Sequence, residues 1–176
     1  MEDITWNPDE YIVDAAGNAF SSDMRILHWI GKDVSMYRIP DGVEEIAAGA
    51  GSGHKKLTAL YIPDTVRLIR EEAFSCCHWL DTLRLSYTLE AIPQEAFSNC
   101  EWLSGVRIPT RVKTICRNAF AGCGHLSEVF FMGIPENIHP DAFSDCTYLY
   151  YIYIPKGSRD IFERLLKGVG RKLIEQ

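Results

Sequence analysis

From Leu57 onward the apolar positions of the chain return every 23 residues. Leu57, Leu80, Leu103, Leu126 and Leu149 keep that step, as do Phe74, Phe97, Phe120 and Phe143, with Cys77, Cys100, Cys123 and Cys146 each three residues behind its Phe. A fixed period held by several columns at once marks a solenoid, in which each unit hides its apolar edge only against its neighbours. Within a unit such as Leu57 to Trp79, the run L-x-x-L-x-I-P alternates with period two and predicts a strand with Leu60 and Ile62 inward. Pro63 ends that strand, Val66 and Ile69 predict a second short extended piece, and A-F-x-x-C predicts a tight turn into the next strand. Too few residues remain for a helix in every unit, so a parallel sheet is expected opposite turns or 3-10 segments.

The first unit in register is Val34 to Lys56, where Gly51 takes the Phe slot and His54 the Cys slot. Units 57–79, 80–102 and 103–125 are regular, whereas 126–148 has Met132 where Pro63 stands and moves its proline to position 135. Residues 1–33 do not follow the period. There YIVD, a turn at Gly17-Asn18, NAF and RILHWI predict short strands joined by tight turns. They are expected to cap the first rung, because an open solenoid end is an aggregation edge. From Ser158 the chain predicts a helical cap, with Ser158 as N-cap, Ile161, Phe162, Leu165 and Leu166 on one face, and Gly168 as the stop. The expected organisation is one domain over 1–176, made of an N-terminal β cap (1–33), repeats (34–155) and a C-terminal cap (156–176).

The unit L-x-x-L-x-I-P-x-x-V-x-x-I-x-x-x-A-F-x-x-C resembles the BspA-like (Treponema pallidum-type) leucine-rich repeat, closely from Val34 to Pro155. VDAAGNAFSSD and YIPKGSRDIFERLL resemble the cap segments of such proteins. The resemblance implies an α/β horseshoe-type leucine-rich repeat solenoid, with a parallel sheet on the concave face and turns or 3-10 segments on the convex one. It implies a role in protein interaction, in several members adhesion to host or bacterial surfaces, and no catalytic residue. Gly51, His54, Ser86 and Met132 depart from the pattern and put the local geometry there in question.

Composition narrows the function. Hydrophobic residues at 47% and charged residues at 24% fit a globular domain. A net charge of −6 argues against a general nucleic-acid binder. No apolar run approaches the ~18 residues of a membrane helix. The start MEDITWNPDEYIVD has no basic stretch followed by an apolar one, so the chain as written reads as cytoplasmic; a leader preceding it would make it secreted or cell-surface. Four of the six cysteines share one repeat column and are expected to be reduced thiols serving as small core groups.

Two columns stand out as candidate binding surfaces. On the concave face, Arg38, Tyr61, Arg84, Arg107, Phe130 and Tyr153 form one column beside Met36, Ala59, Thr82, Gly105, Glu128 and Tyr151. Arg and Tyr are enriched at binding hot spots, although a solvated strand face also tolerates them. At the loop edge, the slot before the repeat Leu holds Trp79, Trp102, His125 and Tyr148, which either engage a partner or only stack to stabilise the turn. Spacing offers no zinc cluster, since alternate side chains of Cys76-Cys77-His78 cannot converge on one ion. A Cys nucleophile paired with His78 or His125 is disfavoured by apolar surroundings, which make a thiol inert. The expectation is a non-enzymatic, monomeric interaction module without cofactor, binding an unidentified protein and neither nucleic acid nor membrane. The alternative is an adhesin module of a secreted or surface protein.

Overall fold

A computed structural model of the chain describes residues 11–167 and 172–176. An antiparallel meander opens it, formed by β1 (Tyr11–Val13), β2 (Ala19–Ser21) and β3 (Ile26–Trp29). Gly17, in the turn between β1 and β2, has φ 83°, a backbone region that glycine enters without penalty. Thereafter each turn of the chain lays down two strands: β4 (Met36–Arg38) and β5 (Glu45–Ile46), β6 (Ala59–Tyr61) and β7 (Leu68–Ile69), β8 (Thr82–Arg84) and β9 (Ala91–Ile92). The series continues with β10 (Gly105–Ile108) and β11 (Thr114–Ile115), then β12 (Glu128–Phe131) and β13 (Asn137–Ile138). β14 (Tyr151–Ile154), α1 (Arg159–Leu165) and β15 (Lys172–Glu175) follow.

The rungs pair in parallel at the step the sequence predicts. Arg38 lies opposite Tyr61 and Tyr61 opposite Arg84; likewise Arg107 lies opposite Phe130 and Phe130 opposite Tyr153. The longer strands form the first ladder, β4-β6-β8 and β10-β12-β14-β15. The shorter ones form a second ladder, in which β5-β7 continues the meander from β3 and β9-β11-β13 stands as its own sheet. On the third side the A-F turns are also bonded rung to rung: Phe74, Phe97 and Phe120 donate their N–H to the carbonyls of Ala96, Ala119 and Ala142, each at 2.9 Å.

The fold is therefore a parallel-stranded β-solenoid with very little helix, which corrects the α/β expectation. Among the described residues α1 is the one helix, and no 3-10 segment occurs. Two columns of left-handed residues supply the reason. Gly49, Glu72, Glu95 and Asn118 have φ from 54° to 65°, and Gly53, Cys76, Asn99, Gly122 and Asp145 have φ from 56° to 71°. They bracket the turns at 50–51, 73–74, 96–97 and 119–120, Asp145 follows the turn at 142–143, and each interrupts any right-handed helical run.

The core is built from the predicted columns. Phe74, Phe97, Phe120 and Phe143 are buried and stack with centroids 5.5–5.6 Å apart and ring planes within 11°. The buried thiols of Cys77, Cys100, Cys123 and Cys146 each donate to the carbonyl of the Phe slot 26 residues back, at 3.0–3.4 Å. A small apolar group that can still satisfy a buried carbonyl is what this slot selects. Burial pushes the Cys123 thiol well above its ordinary value.

The departures from the pattern are accommodated locally. At Gly51 a Cβ would lie 2.7 Å from the Phe74 ring and 3.4 Å from Ile30, so these two side chains fill the missing Phe slot. His54 takes the Cys slot, with Nε2 2.9 Å from the Gly31 carbonyl and Nδ1 accepting the N–H of Leu57 at 3.0 Å. Ser86, fully buried, donates to the Val66 carbonyl at 2.6 Å. In the bent unit, Gly133 lets the chain pass Thr110, whose carbonyl oxygen a Cβ would meet at 2.6 Å.

The C-terminal segment is only partly the helical cap expected. Phe162 and Leu166 are buried, with Phe162 edge-on to Phe131 at 4.8 Å. After α1 the chain returns as β15, which extends the first ladder beside β14. Ser158 makes no side-chain cap bond and donates instead to the Pro155 carbonyl. Gly168, expected as the helix stop, and residues 1–10 of the expected N-terminal cap lie outside the described residues.

Candidate functional site

Strand alternation turns one set of side chains outward from the first ladder. Arg38 lies over the Tyr61 ring at 4.8 Å and Arg107 over the Phe130 ring at 4.6 Å. Phe130 and Tyr153 then stack at 4.4 Å with ring planes 4° apart. Parallel register requires this, because each outward residue stands ~4.8 Å from its counterpart in the next rung. Arg84 is turned aside: it donates to the Ile62 carbonyl at 2.9 Å, to both Asp64 carboxylate oxygens at 3.2 Å, and covers Tyr87 at 5.2 Å. Tyr151 shares the outward face with Tyr153, but their rings are 6.5 Å apart and tilted by 42°. The Tyr153 hydroxyl donates to Glu128 at 3.1 Å, a bond that raises its pKa.

β15 adds residues that alternation alone does not place. Lys172 stands opposite Tyr151, its ammonium 6.0 Å from the ring centre, and Ile174 stands opposite Tyr153. These tyrosines are thus flanked by a strand, while α1 packs its Phe162 on the inner side against Phe131. Tyr151 remains 40% exposed.

The loop-edge residues form a stack. Trp79 and Trp102 lie 5.7 Å apart, Trp102 and His125 4.6 Å, both nearly parallel, and His125 and Tyr148 5.8 Å with a 43° tilt. Tyr150 extends the series at 6.3 Å from Tyr148. His125 Nδ1 lies 3.0 Å from the Glu101 carbonyl, and His78 Nδ1 3.2 Å from the Glu101 carboxylate. In the first unit this slot holds Lys56, paired with Asp33. Because the rings meet face to face, they turn their edges to water.

Cys77 points into the core while His78 is exposed beside Glu101, so the Cys76-Cys77-His78 run diverges. Among the described residues no three His, Cys, Asp or Glu side chains gather as metal ligands do, and no helix is long and apolar enough to cross a membrane. Sequence reasoning missed Tyr87, Asp64 and Glu128 as partners of the outward column, and Lys172 as part of the sheet. K-L-I-E does not alternate, so period-two patterning gives no signal for β15.

A family model, the BspA-type leucine-rich repeat region, matches six copies over residues 31–150 and 81–170. The chain belongs to this family. Solved structures resemble this BspA-type solenoid along most of its length. A leucine-rich cell-surface protein of Faecalibacterium prausnitzii is 29% identical with a TM-score of 0.68, covering 88% of this chain and 40% of its own. The leucine-rich repeat protein of T. pallidum is 26% identical with a TM-score of 0.67, covering 85% of this chain and 71% of its own. The pneumococcal vaccine antigen PcpA, 18% identical with a TM-score of 0.77 over 97% of this chain, shares the fold. The BspA-type chain spans less than half of the F. prausnitzii and pneumococcal chains. No curated protein sequence matches it. Solenoids of this family are typically non-enzymatic scaffolds, and the chain is a repeat module of that family.

Proposed function

We propose that this chain is a non-enzymatic protein-docking module that engages its partner through the outward face of the first ladder. The observation that carries the reading is the continuous stack Arg107–Phe130–Tyr153, bordered by the exposed ring of Tyr151. An aromatic anchor beside a guanidinium is the composition of a binding hot spot. Such rings are rigid before binding, which lowers the entropic cost of association. The loop-edge stack of Trp79, Trp102 and Tyr148 offers a second apolar surface for the same partner.

The experiment is a double substitution, Tyr151→Ser with Tyr153→Ser, set against a partner captured from native lysate and surface fractions. Loss of capture with an unchanged melting temperature supports docking; loss of stability assigns both tyrosines to the C-terminal closure instead. A second reading, an adhesin module of a surface-exposed protein, draws on the 29% identity to the F. prausnitzii cell-surface protein. Localising the native protein by surface protease accessibility separates the two.

A further inference from the structure

We infer that the outward column from Arg38 to Arg107 binds an extended acidic peptide, laid along the solenoid axis, with carboxylates four residues apart. The inference rests on the docking reading above and names its partner's chemistry.

Arg38 and Arg107 are exposed, with their guanidinium carbons 4.8 and 4.6 Å from the ring centres of Tyr61 and Phe130. Among the described residues neither guanidinium has a carboxylate within salt-bridge distance. Arg84 between them is already held by Asp64 and the Ile62 carbonyl. A guanidinium resting on a ring keeps its fork of donors oriented at the edge, ready to take a carboxylate with two bonds. Beside this column the sheet carries Ala59, Thr82 and Gly105, small enough to let a peptide backbone lie close. A groove of 670 Å³ lined by Arg38, Tyr61, Thr65 and Arg84 continues that floor.

Spacing fixes the peptide. Arg38 and Arg107 are three rungs apart, about 14 Å at ~4.8 Å per rung, two of those steps lying in the β4-β6-β8 sheet and the third being the unpaired step from β8 to β10. Each leans toward the ring of the next rung, so the separation is kept. In an extended peptide, residues four apart share a face and stand about 13–14 Å apart, whereas residues two apart reach only about 7 Å. A dense polyanion is disfavoured, because Asp41, Asp64 and Glu128 border the same surface on a chain of net charge −6. Two carboxylates separated by neutral residues avoid those acids.

Fluorescence anisotropy tests this with labelled Thr/Ser peptides carrying two glutamates four residues apart, two glutamates two apart, or two glutamines. The first is expected to bind at least about fivefold more tightly than the second, and the third not to bind. Arg38→Gln and Arg107→Gln should each weaken the first peptide about tenfold, while Arg67→Gln, which removes the same charge from an exposed position beside the second ladder, leaves it unchanged. Circular dichroism melts establish that these surface variants fold. Indifference to the spacing or to the two arginines overturns the inference, as does tighter binding of a heparin fragment or oligo-dT than of any peptide. If no peptide binds while a captured native partner is lost on Tyr151→Ser with Tyr153→Ser, the docking reading stands and the acidic-peptide inference falls.

Discussion

Two aromatic ladders climb this solenoid at the same step, one inside and one at its edge. Phe74, Phe97 and Phe120 are fully buried and stack at 5.5–5.6 Å. Trp79, Trp102 and His125 stack as closely, at 5.7 and 4.6 Å, yet Trp79 is 54% and Trp102 46% exposed. A period in the sequence therefore fixes which rings touch, not whether water leaves them. The inner ladder removes its whole apolar area from water and backs onto the Leu and Cys columns, so it carries stability. The edge ladder keeps about half of its area in reserve and can lose the remainder to a partner.

The sharpest test of that division is at the ladders' C-terminal ends. Phe143→Ala empties a buried site against Phe120 and should cost about 3–5 kcal/mol, whereas Tyr148→Ala in the edge stack should cost about 1 kcal/mol or less. Urea titrations of both variants measure the gap; comparable losses would merge the two ladders into one structural device.

The buried thiols behind the inner ladder give the fold a pH dependence. Burial raises the pKa of Cys123, so the native state keeps a proton that the unfolded state sheds above its ordinary thiol value near ~8.5. That stability is complete below ~8.5 and declines as pH rises toward the native value, by about 1.4 kcal/mol per pH unit for this thiol. Melting curves from pH 7 to 10 should fall, and Cys123→Ala should flatten the slope. A flat wild-type profile contradicts buried S–H donors.

The turn columns between the ladders make a smaller prediction. Glu95 has φ 56°, a strained conformation for a side chain, in a column that already uses Gly49 and Asn118. Glu95→Gly should raise stability by about 0.5–1 kcal/mol, after the added freedom of the unfolded chain is subtracted. A destabilised variant would show that the Glu95 side chain contributes more than its backbone costs. Smallest is the coupling of Trp79 with Trp102, expected at about 0.5–1 kcal/mol in a double-mutant cycle.

Much of this architecture was legible because repetition amplifies a weak signal. The Leu, Phe and Cys columns, the strand at Leu60 and the second strand at Ile69 all follow from alternation copied from unit to unit, although the first strand ends at Tyr61, one residue short of Ile62. What failed was local. Glu72 and Cys76 give no sequence sign that they sit at positive φ, so the turns were open to being read as 3-10. Lys172 to Glu175 lies after the last full unit, where no copy remains to flag a strand. The outward column was legible as a list, since parallel register stacks equal positions, but its pairings were not. Arg84 alone turns to Asp64 and Tyr87, a choice set by side-chain reach.

The central claim is that stability resides in the inner ladder while the outer surfaces are free to bind. Paired equilibrium unfolding of Phe97→Ala and Trp102→Ala tests it most directly, because the two residues belong to the same rung and to different ladders. The account predicts a loss of about 3–5 kcal/mol for Phe97→Ala and under about 1.5 kcal/mol for Trp102→Ala. Equal losses, or a larger one for Trp102→Ala, would contradict it.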